Sequence, residues 1–273
     1  MEIEGLSERE YIAIRDLLLK HAGIALGAHK KTLVTGRLYK RLQMLGLRSY
    51  SEYIARINGG HFPDELQIAI NLLTTNETYF FRESKHFAML EEWYQAAPQD
   101  EVFRVWSAAC STGEEVYTIA ITLQEANRRR RGAPWEVRGS DISTRVLDVA
   151  RAGMYGMERI DSIPEDVLKR YFLYGTGPYD GKILVERELR EKAEFAQINL
   201  VQPLPELVPF DVIFLRNVMI YFENDVKRKV VRQLLAQLKP EGVLLVGLAE
   251  SLNGLLDGLV NVGPGAYRRD RRR

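Results

Sequence analysis

Between Ser7 and Leu73 the apolar residues recur three and four apart, the rhythm of amphipathic helices. In "SEREYIAIRDLLLKHAGI", Tyr11, Ile14, Leu17 and Leu18 share one face, and Ser7 with Glu10 has capping-box spacing. Gly23 marks the expected stop. A second helix is predicted over "HKKTLVTGRLYKRLQML", ending at Gly46. A third covers "SYSEYIARI" and ends at "NGG". A fourth is "PDELQIAINLL", with Pro63 in its first turn. No strand-like alternation interrupts them, so this half reads as a small all-α domain.

From about residue 100 the pattern changes. Short apolar or β-branched runs ("VFRVWSAAC", "WEVRGSD", "AEFAQIN", "FDVIFLRN", "GVLLVGLAE") alternate with helical stretches ("TGEEVYTIAITLQEANRR", "STRVLDVARAG", "DVKRKVVRQLLAQLK"). That alternation predicts a parallel sheet with helices on both faces. "LVNVGPGAYRRD" reads as a terminal hairpin turning at "GPG". One block, "PEDVLKRYFLYGTGPYDGKILVERELREKAEF", is too long for an ordinary connection and reads as an inserted subdomain of a helix, a glycine-rich loop and two strand-like pieces.

Composition narrows the function classes. The 273 residues carry a net charge of +1, which argues against a general nucleic-acid binder. The runs "RRRRG" and "RRDRRR" read as solvated surface. Cys110 is the sole cysteine, so no internal disulfide forms. His21, His29, His61 and His86 show no metal-ligand spacing, and no metal is expected. No secretory signal opens the chain, and "GVLLVGLAESL" is too short to span a bilayer, so a cytoplasmic location without membrane insertion is expected.

In an open parallel sheet, ligands bind beyond the carboxyl ends of the strands. Four loops qualify: "ACSTGEE", "GSDIS", "INLVQPLP" and "LRNVMIYF". The first carries Gly113, Glu114 and Glu115 but lacks the G-x-G-x-x-G of a dinucleotide site. Two carboxylates there would repel a pyrophosphate and tolerate a cation; an ordinary helix N-terminus also favours glutamate. Asp141, at a strand end, suits ribose hydroxyls, with a helix N-cap as the plainer alternative. A ribose acceptor without a phosphate cradle points to S-adenosylmethionine.

"NETYFFRE", "WSAACSTGEE", "GSDIS" and "FLRNVMIYF", in this order and spacing, resemble the CheR-type chemotaxis receptor methyltransferases over nearly the whole chain. The resemblance implies an α/β, Rossmann-like class I methyltransferase domain with a small inserted antiparallel β-subdomain, preceded by an all-α N-terminal domain. Residues 1–75 would be the helical domain that recognises the receptor methylation region. Residues 76–100 would be a linker and the start of the catalytic domain, and 101–273 the S-adenosylmethionine-dependent methyltransferase domain, with the inserted β-subdomain at about 165–193. The implied reaction moves a methyl group from S-adenosylmethionine to chemoreceptor glutamates, giving methyl esters and S-adenosylhomocysteine. Implied cofactor contacts are Asn76, Thr78, Arg82, Glu115, Asp141, Asn199, Leu200, Arg216 and Asn217. Arg82 and Tyr221 would flank the transfer site. Val116 departs from the family, which often has proline there, and Phe214-Leu215 stand before Arg216 where a cysteine is common.

A glutamate carboxylate, with a reference pKa of about 4.3, is already a nucleophile at neutral pH and needs no general base. Arg82 can hold a carboxylate, with Tyr79, Phe80 and Phe81 as apolar walls. It could hold the substrate carboxylate, the cofactor's, or both in turn. Arg37 and Arg41 share a helix face and, with Lys40, form a basic surface suited to steering an acidic receptor bundle. Gly175, Gly177 and Gly181, in "GTGPYDG", resemble the longer loop of members that dock a receptor C-terminal pentapeptide by strand addition. A monomer is expected. A nicotinamide-dependent oxidoreductase shares the architecture, but the missing glycine pattern counts against it. A cofactor-sensing or receptor-docking module that keeps the fold without turnover is a third reading, disfavoured by Arg82 together with Tyr221.

Overall fold

The computed structural model describes residues 3–60, 62–130 and 134–270. His61, Arg131 of the first arginine run and the last three arginines lie outside the described residues.

Helices α1 (Glu8–Ala22), α2 (Lys31–Leu45), α3 (Tyr50–Asn58) and α4 (Pro63–Leu73) form the first unit. The capping box is made: Glu10 N–H donates to Ser7 Oγ, and Glu10 Oε2 accepts from Ser7 N–H at 2.9 Å. α1 and α2 stop at Gly23 and Gly46, as their sequences predict. The apolar stripes meet in a core that includes Tyr11, Leu18, Leu38, Leu42 and Tyr50. The stretch expected to hold a linker and the start of the catalytic domain, 76–100, contains a further helix, α5 (Lys85–Ala96), which buries Phe87, Leu90 and Tyr94.

The catalytic unit begins with β1 (Phe103–Ser107), α6 (Glu114–Arg130), β2 (Trp135–Asp141) and α7 (Thr144–Ala152). The insert follows: β3 (Met154–Gly156), α8 (Glu165–Tyr171), β4 (Phe172–Tyr174), β5 (Lys182–Val185) and α9 (Arg187–Glu191). Its three strands pair antiparallel in the order β3-β5-β4, so the subsheet starts earlier than the expected boundary and has one strand more than the sequence suggests. The chain then adds β6 (Ala193–Gln197), β7 (Phe210–Leu215), α10 (Asn224–Ala236) and β8 (Leu238–Val246). It closes with β9 (Leu259–Gly263) and β10 (Ala266–Arg269).

The main sheet runs β6-β2-β1-β7-β8-β10-β9. Its first five strands are parallel, and the terminal hairpin completes it antiparallel. Alternate residues feed two cores. Val105, Val212 and Phe214 face α5 and α6, while Trp106, Ile213 and Leu215 face α10. The strand order reverses between β1 and β7, and there the loops splay apart to leave a crevice. The helical unit closes over it. Asn199 Nδ2 donates to His21 O at 2.7 Å, Ala25 N–H to Tyr221 O at 2.8 Å, and Asn71 Nδ2 to Thr144 Oγ1 at 2.8 Å. Among the described residues, no helix is long and apolar enough to cross a membrane.

Candidate active site

A cavity of about 200 Å³ occupies that crevice, with walls from the α1–α2 junction, the segment after α4 and the strand-end loops of the sheet. Every cofactor and catalytic position expected from sequence lines it: Asn76, Thr78, Arg82, Glu115, Asp141, Asn199, Leu200, Arg216, Asn217 and Tyr221.

The first loop is shaped by Gly113, at φ 95°, where an added Cβ would lie 2.8 Å from Ala150 Cβ. Such close packing between the loop and α7 admits only glycine. The two glutamates after it diverge. Glu114 is fully buried and accepts from Thr112 Oγ1 at 2.6 Å and Arg159 Nη1 at 3.1 Å. Arg159 also donates to Thr78 O at 2.9 Å, so Glu114 ties the insert to the cavity wall. Glu115 turns to the cavity instead. Its Oε1 accepts from Ser107 Oγ at 2.7 Å, and its Oε2 lies 3.3 Å from Arg216 Nη1. Burial pushes the Glu115 carboxyl upward, against the pull of Arg216 and Ser107.

Asp141 accepts Ser111 N–H on Oδ2 and Ser143 N–H on Oδ1, each at 2.9 Å. Burial raises its pKa, and these amides oppose the shift. The amides fix the carboxylate's orientation and leave it lone pairs for hydroxyl donors. Asn199 bridges α1 and its own loop, accepting Val201 N–H at 3.2 Å.

Arg216 is 6% exposed and lies between Glu83 and Glu115. Its Nη1 is buried without a hydrogen-bond partner among the described residues. Arg82 differs. Its Nη1 donates only to Glu77 O at 3.0 Å, its guanidinium lies 5.7 Å from the Tyr79 ring centre, and among the described residues no carboxylate pairs with it. Tyr79 lines the cavity, whereas Phe80 and Phe81 do not, contrary to the expectation that all three aromatics wall it. Phe80 packs edge-on against Tyr155 and Phe172, and Phe81 against Phe87, because the chain reverses there into the core. Burial raises the Tyr221 hydroxyl pKa, as does Glu77, while Arg82 and Arg37 work against the rise.

Among the described residues, four other than glycine have left-handed backbones: Phe81, Glu83, Ser111 and Asn217, with φ between 49° and 58°. Each costs roughly 1–3 kcal/mol, and all four lie in loops that form this crevice. Phe81 is held there by its N–H donating to Thr118 Oγ1 at 3.2 Å.

Two acids outside the sequence expectations organise these loops. Glu250 accepts Gly247 N–H and Asn217 N–H at 2.8 Å and Met219 N–H at 2.9 Å. It follows the apolar run of β8, the same strand-end signal that marks Asp141. Glu83 joins three loops, and no linear pattern announces it. Cys110 is fully buried with its thiol pKa raised by that burial, so it offers no thiolate nucleophile. No His/Cys/Asp/Glu cluster able to hold a metal occurs among the described residues.

The expected docking residues lie outside the cavity. Arg37 and Arg41 do share a face, and it faces α4. Arg37 Nη1 donates to Leu73 O and Thr74 O at 2.9 Å, and Arg41 pairs with Glu65. Lys40 is exposed. Gly175, Gly177 and Gly181 occupy the connection between β4 and β5.

Acids facing a cavity without a pyrophosphate cradle, with an orphaned guanidinium nitrogen beside them, fit a cationic nucleoside bearing polar groups. S-adenosylmethionine has that chemistry. The comparisons agree. The CheR methyltransferase SAM binding domain matches residues 76–263, and the CheR methyltransferase all-alpha domain matches 9–74. A chemotaxis protein methyltransferase of Salmonella typhimurium is 42% identical over 92% of this chain and 87% of its own length. That of Escherichia coli is 41% identical over the same shares. Chemotaxis protein methyltransferase 2 of Pseudomonas aeruginosa is 42% identical over 90% of this chain and 87% of its own. With both of its units matched and such relatives covering nearly all of it, the chain belongs to the CheR methyltransferase family and takes S-adenosylmethionine as its cofactor.

Proposed function

We propose that this chain methylates the side-chain carboxylates of chemoreceptor glutamates, giving glutamyl methyl esters and S-adenosylhomocysteine. The observation that carries the reading is the Arg82 guanidinium on the cavity wall, without a carboxylate partner among the described residues, with the Tyr221 side chain lining the same cavity. The other guanidinium that lines the cavity, Arg216, already lies between Glu83 and Glu115. Bound S-adenosylmethionine supplies a methyl group on a sulfonium cation. Asp141 would take ribose hydroxyls, Glu115 would face positive charge, and Arg216 Nη1 would donate to a polar group of the cofactor.

The incoming carboxylate is ionised at neutral pH, so the site needs no base. Among the described residues no histidine lines the cavity, in accord with this. Arg82 would hold the acid by charge-assisted hydrogen bonds, and Tyr221 would add a neutral donor. Orientation of this kind can contribute roughly 7–11 kcal/mol toward a barrier. The Tyr79 ring, on the cavity wall beside Arg82, would help keep water from the acid.

Receptor docking is proposed at two places. Lys40, on the exposed side of α2, would steer an acidic helical bundle; Arg37 and Arg41 would shape that helix from behind. The outer strand β4 has a free edge beside exposed Leu173, Tyr174 and Tyr179. A receptor C-terminal pentapeptide could add there as a strand, raising effective substrate concentration. The chain would act as a cytoplasmic monomer.

The test is methyl transfer from labelled cofactor to receptor, followed by alkali. A carboxyl ester releases methanol, whereas an N-methyl product survives. Arg82→Ala should reduce transfer by at least roughly a hundred-fold. Near-normal turnover in that variant would remove Arg82 from the site.

A further inference from the structure

We infer that Glu83 is a positioning residue for methyl transfer, acting through Arg216 to set the guanidinium beneath the cavity and the backbone of Arg82. The inference rests on the methyl-transfer reading above and adds a residue that the reading leaves without a role.

Glu83 does not line the cavity, and its side chain is 16% exposed. Its carboxylate nevertheless reaches two other loops. Oε2 lies 3.3 Å from Arg216 Nε, 3.2 Å from Arg216 Nη2 and 3.1 Å from Leu248 N. Oε1 accepts from Asn217 Nδ2 at 3.2 Å. The segment carrying Arg82, the loop after β7 and the loop after β8 are therefore joined at one acid. The left-handed backbone of Glu83, φ 56°, turns its carboxylate under the cavity floor.

The consequence for Arg216 is directional. Its Nε and Nη2 face Glu83, and Nη2 also donates to Arg82 O. Only Nη1 remains toward the cavity, beside Glu115. Remove the Glu83 charge, and Glu115 is the one acid still paired with Arg216. The guanidinium would then swing toward Glu115, withdrawing Nη1 from a ligand and its support from the Arg82 carbonyl. His86 cannot substitute. Burial lowers its pKa and favours the neutral ring; its Nε2, 3.0 Å from Pro264 O, must then donate, so the Nδ1 facing Glu83 at 3.6 Å bears a lone pair.

The experiment measures receptor methylation kinetics, S-adenosylhomocysteine affinity by calorimetry and thermal unfolding. The proteins are wild type, Glu83→Gln, Glu83→Asp, Arg216→Lys and the two double variants. Glu83→Gln should lower kcat roughly ten-fold with KM for receptor unchanged, and Glu83→Asp, which keeps the charge one methylene short of Arg216, should lower it by roughly three- to four-fold. The effect of Glu83→Gln should largely vanish in the Arg216→Lys background, because the two act as one unit. If Glu83→Gln does not fold, the Glu83→Asp pair provides the same coupling measurement. Losses that multiply to within about two-fold, or single variants with wild-type kcat, would overturn the inference. Failure of the wild-type protein to form a base-labile ester would sink the functional reading instead, and the affinity measurements keep the two outcomes apart.

Discussion

Glu115 Oε2 and Arg216 Nη1 lie 3.3 Å apart on the cavity wall, in a setting where burial pushes the glutamate's pKa up. A cationic cofactor binds best to the ionised acid. Affinity for S-adenosylmethionine should therefore be full above the raised pKa and fall as pH drops through it. S-adenosylhomocysteine has a neutral thioether and should lose less over the same window. Glu115→Gln should flatten the difference and weaken the methyl donor roughly ten-fold. Calorimetric titration of both ligands between about pH 5 and 8 tests this. Parallel pH curves for the two would exclude Glu115 as the group that senses the charge.

Arg41 and Glu65 form a two-point bridge, Nε to Oε1 at 2.9 Å and Nη2 to Oε2 at 2.7 Å, between α2 and α4. Glu65 is 3% exposed, so removing the arginine strands a buried charge. Arg41→Ala should destabilise the protein by roughly 3 kcal/mol, and Glu65→Ala should do so too. Lys40→Glu should leave stability nearly unchanged while slowing receptor methylation, most at low salt. Denaturant unfolding alongside initial-rate kinetics separates bracing from docking. An Arg41→Ala protein of wild-type stability with slow methylation would return that residue to the receptor surface.

The same pair shows where sequence reading stops. Arg41 belongs to a run of basic residues on one helix, which reads as solvated or docking surface. Its partner is on another helix, and only tertiary packing brings them together. The helices themselves were legible, because Ser7, Glu10, Gly23 and Gly46 carry their signals locally. So were the candidate site residues on the sheet side of the cavity, since each follows an apolar strand or sits in a motif, whereas nothing in the sequence assigns the wall from the α1–α2 junction. Glu83 stands inside "NETYFFRE" yet shows no task along the chain, because its partners, Arg216, Asn217 and Leu248, come from two distant loops. The strand β3 is not legible in the sequence, because three residues, "MYG", are too few to show alternation.

Asp141 accepts two backbone amides at once, so its substitution should act on fold and ligand together. Asparagine has one acceptor oxygen and leaves one buried N–H facing an amide donor, a cost of roughly 1–3 kcal/mol. Asp141→Asn should lower thermal stability and also weaken S-adenosylhomocysteine. Adding saturating ligand should recover less stability than it does for wild type. Equal ligand-induced stabilisation in both proteins would leave Asp141 a purely structural acid.

The connection between β4 and β5 offers a test that leaves the cavity alone. Gly175 N–H donates to Lys182 O at 2.8 Å, and an added Cβ would fall 1.9 Å from Tyr179 O. Backbone oxygen cannot yield as a flexible side chain can, so Gly175→Ala must displace the loop. Gly177 and Gly181, at φ 58° and 75°, make the same connection intolerant of rearrangement. If a receptor tail adds to the edge of β4, this variant should raise KM for receptors that carry the tail. It should leave cofactor affinity and the rate on tail-less receptors near wild type. Tethering works through effective concentration, so kcat at saturating receptor should also be preserved. Equal losses on both receptors, with cofactor binding intact, would show that the loop serves the catalytic domain's packing and holds no tail.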